Sequence, residues 1–205
     1  MKIKLFGFAA FLYVLTFCFV SCDDNDDDDY WRWENEAFID SIAAIVNANP
    51  TPAGWAKFQN YKVDPAFSSM PLTNNDYVYV KSLGGSEELG ITPSFTDTVY
   101  VYYRGSYINS YVFDDNYSGD FDLDVTPKRY EPTPFVVKNL IPGWTTALLH
   151  MREGEHVQLF IPYLMAYGAY GDSGIPGYTS LIFEVYLERV VHPEGPDDRS
   201  MEAEE

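Results

Sequence analysis

The chain has 205 residues and a formal charge of −18, from 31 acidic against 13 basic side chains. A chain this acidic lacks the basic surface that nucleic acid requires, so nucleic acid is excluded as a partner. Its two cysteines are too few for a disulfide framework, while 46% hydrophobic and 17% aromatic content supplies an ordinary core.

Lys2 and Lys4 precede an apolar run over 5–20. A charged start followed by a run too short to span a bilayer reads as an export signal, residues 1–21. Phe19-Val20-Ser21-Cys22 looks like a bacterial lipoprotein cleavage box, with a small residue before the cysteine. Phe19 departs from the usual leucine there. Cleavage before Cys22 leaves one cysteine, which carries lipid and anchors the chain to a membrane. Residues 22–33 then form an acidic tether, seven of them running Asp23-Asp24-Asn25-Asp26-Asp27-Asp28-Asp29. Such a run is solvated and self-repelling, and it lacks the glycine and terminal glutamate of a calcium loop. An acidic run directly after a lipidated cysteine resembles the surface-export signal of Bacteroidetes lipoproteins. That resemblance implies an outer-membrane location, on the outer face.

Residues 34–76 form an extension. Phe38, Ile42, Ile45 and Val46 recur at helical spacing, which predicts an amphipathic helix over 34–46. The Asn-Pro-Thr-Pro at 49–52 stops it, and Trp55, Phe58, Tyr61 and Phe67 follow irregularly. Two readings stand here: an extension that packs its aromatics on the domain, or a dimerisation arm. Alternation then predicts strands over 77–81 and 99–105, with Gly84, Gly85 and Gly90 breaking the connection. Val112-Phe113-Asp114 reads as a further strand. Residues 115–134 hold a strict alternation at 121–125 followed by Pro127, Pro132 and Pro134, which predicts an edge segment or flap beside the site.

Pro142 suits the first turn of a helix, and a short helix is predicted over 145–151, closed by Gly154. Strands follow over 156–161 and 181–187, separated by a Gly-, Pro- and Tyr-rich loop over 163–178. Residues 192–205 are acidic, without periodicity, and read as a disordered tail. The domain proper is thus 77–191.

The order of Ile141-Pro142-Gly143-Trp144, Met151-Arg152-Glu153-Gly154-Glu155, Ile161-Pro162, Ala166-Tyr167-Gly168, Gly174-Ile175-Pro176 and Leu181-Ile182-Phe183-Glu184-Val185 resembles the FKBP-type peptidyl-prolyl cis-trans isomerases. Each piece alone is weak; all of them in order at this spacing are specific. The resemblance implies an α+β fold, an antiparallel half-barrel wrapped on the short helix. It implies a pocket of Tyr103, Phe113, Asp114, Phe135, Leu140, Ile141, Trp144, Tyr167, Ile175 and Phe183. Asp114, Tyr167 and Phe113 take the catalytic roles, Trp144 is the floor, and the rest bind substrate. The Ile141 N–H and the Tyr167 hydroxyl hold the peptide. Arg104 stands where the family commonly has threonine.

The chemistry implied is rotation about X–Pro bonds of exported polypeptides, which needs no metal, nucleophile or cofactor. His150, His156 and His192 show no metal-ligand spacing. A rival reading is a non-catalytic module that captures a peptide or glycan in the same pocket. The density of 17 tyrosines and the long insertion both speak for it.

Overall fold

A computed structural model describes residues 25–64, 66, 70–172 and 174–193. The expected signal segment, Cys22, Phe67 and the tail from 194 onward lie outside the described residues. Helix α1 spans Asn25–Val46. The strands are β1 (Trp55–Gln59), β2 (Tyr77–Gly85), β3 (Thr98–Ser106), β4 (Val112–Asp115), β5 (Thr133–Val136), β6 (Glu155–Ile161) and β7 (Leu181–Val191). Two further helices are short, α2 (Thr126–Arg129) and α3 (Pro142–Leu148).

The strands form one antiparallel sheet in the order β1-β2-β6-β7-β3-β4, with β5 also on β3. The expected α+β fold, an antiparallel sheet with a short helix on one face and a helix at the N-terminus, is the one observed. Alternation assigns each strand two faces. Val78 and Val80 of β2, Val99 and Val101 of β3, Leu159 and Ile161 of β6, and Val185 and Leu187 of β7 point to one side. There they bury Trp144, Ala147 and Leu148 of α3. Tyr79, Phe160 and Ile182 point the other way and meet α1, whose Ile39, Ile42, Ala43 and Val46 are buried.

Several local expectations are corrected. Helix α1 starts at Asn25 and takes in residues 25–33 of the expected 22–33 tether. Contacts made by Trp31 and Asn35 with the 163–180 segment hold this stretch helical, where composition alone suggested solvated coil. Its buried stripe runs through Asn35, Ile39, Ile42, Ala43 and Val46, so Ile45 is left exposed. Residues 55–59, read as irregular, pair with β2 and form the sheet's edge.

Helix α3 begins at Pro142, three residues before the predicted start, because proline itself takes the first turn. Its end tightens: the N–H of Met151 bonds the Leu148 carbonyl at 3.2 Å. Gly154 is not its cap. With φ +87° it makes the turn into β6.

The insertion takes the expected edge form only at its two ends, Asp115 in β4 and Thr133 and Pro134 in β5, all paired with β3, and departs from it between them. Residues 121–125 make no strand. Asp122 Oδ1 accepts from the N–H groups of Asp124 (2.8 Å) and Val125 (3.1 Å), and Thr126 Oγ1 accepts from the Asp122 N–H (3.0 Å). This local capping outcompetes a ladder. The insertion also lies on the far face from α3. Phe121 rests on Tyr102, Tyr117 and Tyr186, at 5.0–5.9 Å between ring centres. Arg104 covers the Tyr117 ring at 4.6 Å and donates to the Gly119 carbonyl. The unusual arginine therefore secures the insertion on the outer face.

Among the described residues, no helix is long and apolar enough to cross a membrane. Among the same residues, no group of three or more His, Cys, Asp and Glu side chains could hold a metal ion.

Candidate active site

The site opens on the α3 side of the sheet. β3 is its spine, because Tyr103 and Gly105 share the inward face with Val99 and Val101. Two short strands divide the outer edge of β3: β5 pairs with its start and β4 with its end. Asn116 bridges the gap between them. Its Oδ1 accepts from the Tyr103 N–H and its Nδ2 donates to the Val101 carbonyl, both at 2.9 Å. The side chain replaces two missing ladder bonds and so fixes Tyr103.

Gly105 makes the room. It pairs with Asp114 on one side and with Phe183 on the other. A Cβ there would stand 2.6 Å from both the Phe113 and Phe183 rings. Without one, the two rings meet edge to face across the glycine, 5.6 Å apart at 87°. Below them lies Trp144, 3% exposed and placed by the first turn of α3. Its ring takes the edges or faces of Phe183 (5.2 Å, 81°), Tyr103 (5.9 Å, 87°) and Phe135 (6.1 Å, 68°). Perpendicular packing of this kind is favoured by the ring quadrupoles and leaves a cup rather than a filled stack.

Tyr103, Asp114, Phe135, Asn139, Leu140, Ile141, Trp144, Tyr167 and Phe183 line a cavity of about 260 Å³. A second cavity of about 390 Å³ shares Asp114 and Tyr167 with it and adds Phe113, Ile175, Tyr107, Tyr111 and Gly174. All ten residues named from the sequence thus line two joined cavities. Four lining residues were missed: Asn139, Tyr107, Tyr111 and Gly174. Tyr107 and Tyr111 could have been found, since they flank the tight turn after β3, where the Tyr107 N–H bonds the Tyr111 carbonyl. Their rings stack at 5.7 Å, and Tyr107 stacks on Phe113 at 5.0 Å.

The polar groups sit at the rim. Tyr103 Oη donates to Asp114 Oδ2 at 2.8 Å. Burial first, and then that bond, hold the Tyr103 phenol well above its ordinary pKa. It therefore remains a neutral donor, and Asp114, exposed at the mouth, is the acceptor it orients. Tyr167 is also raised, by burial and then by the charges of Asp172 and Asp114. The cup is apolar, free of nucleophiles, and edged by one carboxylate and two phenols. Such a site favours a less polar form of a bound amide over a hydrated one.

Residues 90–188 match the family model of the FKBP-type peptidyl-prolyl cis-trans isomerases. The matched stretch, 99 of the 205 residues, is an FKBP-type domain. FkpA of Escherichia coli strain K12 is 38% identical over 98 residues, covering 48% of this chain and 33% of that protein. The macrophage infectivity potentiator of Trypanosoma cruzi is 41% identical over 96 residues, 46% of this chain and 44% of its own. The chain thus matches less than half the length of these relatives. The crystal structure of E. coli FkpA superposes with a TM-score of 0.55 at 25% identity, over 81% of this chain and 63% of that one. A prolyl isomerase from Pseudomonas syringae superposes at 0.52 over 77% of this chain and 96% of its own; at 23% identity it speaks for the fold. The FKBP-type match begins at residue 90, so α1, β1 and β2 lie outside it.

Proposed function

We propose that this chain is a peptidyl-prolyl cis-trans isomerase acting on X–Pro bonds of exported polypeptides. The observation that carries the reading is the cup of Tyr103, Phe135, Trp144 and Phe183 around one apolar cavity, with the Tyr103–Asp114 hydrogen bond at its rim. The cup has the size and dryness for a prolyl ring. Rotation of an amide is slow because resonance must be given up, a barrier of roughly 18–20 kcal/mol. X–Pro bonds have a usable cis population and exchange over tens of seconds or longer. In the twisted state the amide loses its charge separation, and a water-free aromatic wall favours that state over the planar one. Only such differential stabilisation accelerates the step. Asp114 meets the partial charges of the rotating carbonyl group. The Tyr167 hydroxyl and the Ile141 N–H hold the flanking peptide.

The test is a protease-free isomerisation assay on the full chain. Asp114→Asn is expected to lower kcat/KM about tenfold, or roughly 1.4 kcal/mol of transition-state stabilisation. Tyr103→Phe, which frees Asp114 without altering the wall, should lower it by a smaller factor. Absence of acceleration on several X–Pro peptides, with a folded sample, would sink the catalytic reading. The peptide- or glycan-capturing module would then take its place. Against that rival stands the position of the insertion, on the outer face, where it does not cover the cup.

The finer proposals concern place and partners. The apolar start, Cys22 and the acidic run that follows support a lipid anchor on the outer membrane, facing outward. Cys22→Ala is expected to move the protein from the membrane to the soluble fraction; equal membrane recovery of both forms would overturn the anchor. A holding role for unfolded chains is supported by Tyr111, 63% exposed beside the cavities. It would register as suppressed aggregation of a denatured client, and no suppression at stoichiometric amounts would remove it.

A further inference from the structure

Helix α1 lines neither cavity, yet its N-terminal half is bonded to the loop that forms one side of them. Trp31 Nε1 donates to Thr179 Oγ1 at 3.0 Å. Asn35 Oδ1 accepts from the Ser180 N–H at 2.7 Å, and its Nδ2 donates to the Trp31 carbonyl at 2.8 Å. Tyr163 Oη donates to Glu36 Oε1 at 3.2 Å. Asn35 is fully buried. A buried carboxamide is costly unless both its ends are partnered, and here both are. The contact is part of the fold's interior.

The connection continues into the wall of the site. Thr179 Oγ1, which accepts from Trp31, itself donates to the Pro176 carbonyl at 2.7 Å. On the other side, Tyr107 Oη donates to the Gly174 carbonyl at 3.0 Å. The edge of the Trp31 indole meets the Tyr107 ring at 6.4 Å and 78°. Ile175 lies between these two anchored carbonyls. It is also closed into a tight turn by backbone bonds with Asp172 at 2.6 and 3.1 Å. The turn is internally bonded, so its position relative to the sheet is set by the outside contacts, and Trp31 touches both of them. The Gly168 carbonyl accepts from the Tyr178 N–H at 3.0 Å, which links the neighbour of Tyr167 to the same loop strand.

We propose that Trp31 is a positioning residue for the substrate site: through Thr179 and Tyr107 it fixes the 174–176 turn, and with it the face that Ile175 and Tyr167 present to the peptide. The inference rests on the isomerase reading. It gives α1, which lies outside the family match, a part in the reaction.

Two variants of the full chain test it. Trp31→Phe removes the N–H donor and keeps a ring against Tyr107. Thr179→Val removes the relaying hydroxyl at nearly constant shape. Each is expected to raise KM about three- to tenfold, the span of one neutral hydrogen bond. In each, kcat should stay within about twofold, and the double variant should be no worse than the poorer single one. Amide exchange at 174–179 should quicken in both while the melting temperature moves little. Unchanged KM in the two variants overturns the proposal, whatever the melting temperature does. Additive losses in the double variant overturn it too, because the two side chains would then act separately. If the wild-type chain accelerates no X–Pro peptide, the isomerase reading fails by itself. Exchange then decides the bracing: faster exchange at 174–179 in Trp31→Phe upholds it, and unchanged exchange overturns it.

Discussion

Gly105→Ala is expected to lower kcat/KM about a hundredfold while the domain stays folded. The added Cβ would fall 2.6 Å from Phe113 Cζ and 2.6 Å from Phe183 Cε1. Carbon atoms in contact need roughly 3.5–4.0 Å, so the added Cβ overlaps each ring by about 1 Å, and the rings and the β3 backbone must take up both overlaps. Phe183 is only 6% exposed and is packed on Trp144, so most of the movement falls on Phe113. A displacement of about 1 Å in a substrate-positioning group costs on the order of 10²-fold in rate. The overpacking itself destabilises by about 1–3 kcal/mol, less than a domain's usual stability. Steady-state assay together with urea unfolding separates the two effects. A kcat/KM within twofold of wild type would show that the Phe113–Phe183 wall is not what the reaction uses.

Trp144→Ala carries the largest expected loss of stability, about 3–5 kcal/mol by the usual cost of truncating a buried aromatic. Trp144 joins three things: the start of α3, the inner face of β3 and β7, and the floor of the cup. Its removal opens a void beneath Tyr103, Phe135 and Phe183, and none of the three can collapse into it without leaving the rim. Trp144→Leu keeps part of the volume and is expected to remain folded, with KM raised more than kcat is lowered. The measurement is the unfolding free energy from urea titration for both variants. A loss below about 1 kcal/mol for Trp144→Ala would be inconsistent with a buried floor.

What could be read in advance followed from local chemistry. β3, β6 and β7 were legible because their alternating side chains separate an inner from an outer face, whereas the ten pocket positions came from the resemblance of the ordered motifs to the FKBP-type family. Face assignment beyond that was not legible. The run Phe121-Asp122-Leu123-Asp124-Val125 alternates as a strand should, but the Asp122 carboxylate caps the following N–H groups and turns the chain. Nothing in the alternation tells on which side of the sheet Phe121 will land; that depends on Tyr102 and Tyr186 sharing an outer face over 80 residues apart in the chain. The helical content of 25–33 was hidden in the same way. Its charge argued for solvated coil, and the partners that order it, Thr179 and Ser180, lie at the opposite end of the chain.

That separation sets an order of events during synthesis. Asn35 and its partner Ser180 are 145 residues apart. At roughly 5–20 residues per second, the loop emerges roughly 7–30 s after the helix it must receive. In that interval Ile39, Ile42, Ala43 and Val46 have only Trp55 and the β2 residues Tyr77 and Tyr79 to cover them, because β6 and β7, which supply Phe160 and Ile182, are made late as well. Helix α1, made before every strand of the sheet, is therefore among the last elements to finish docking, and the site's 174–176 wall is set only when these two distant stretches meet.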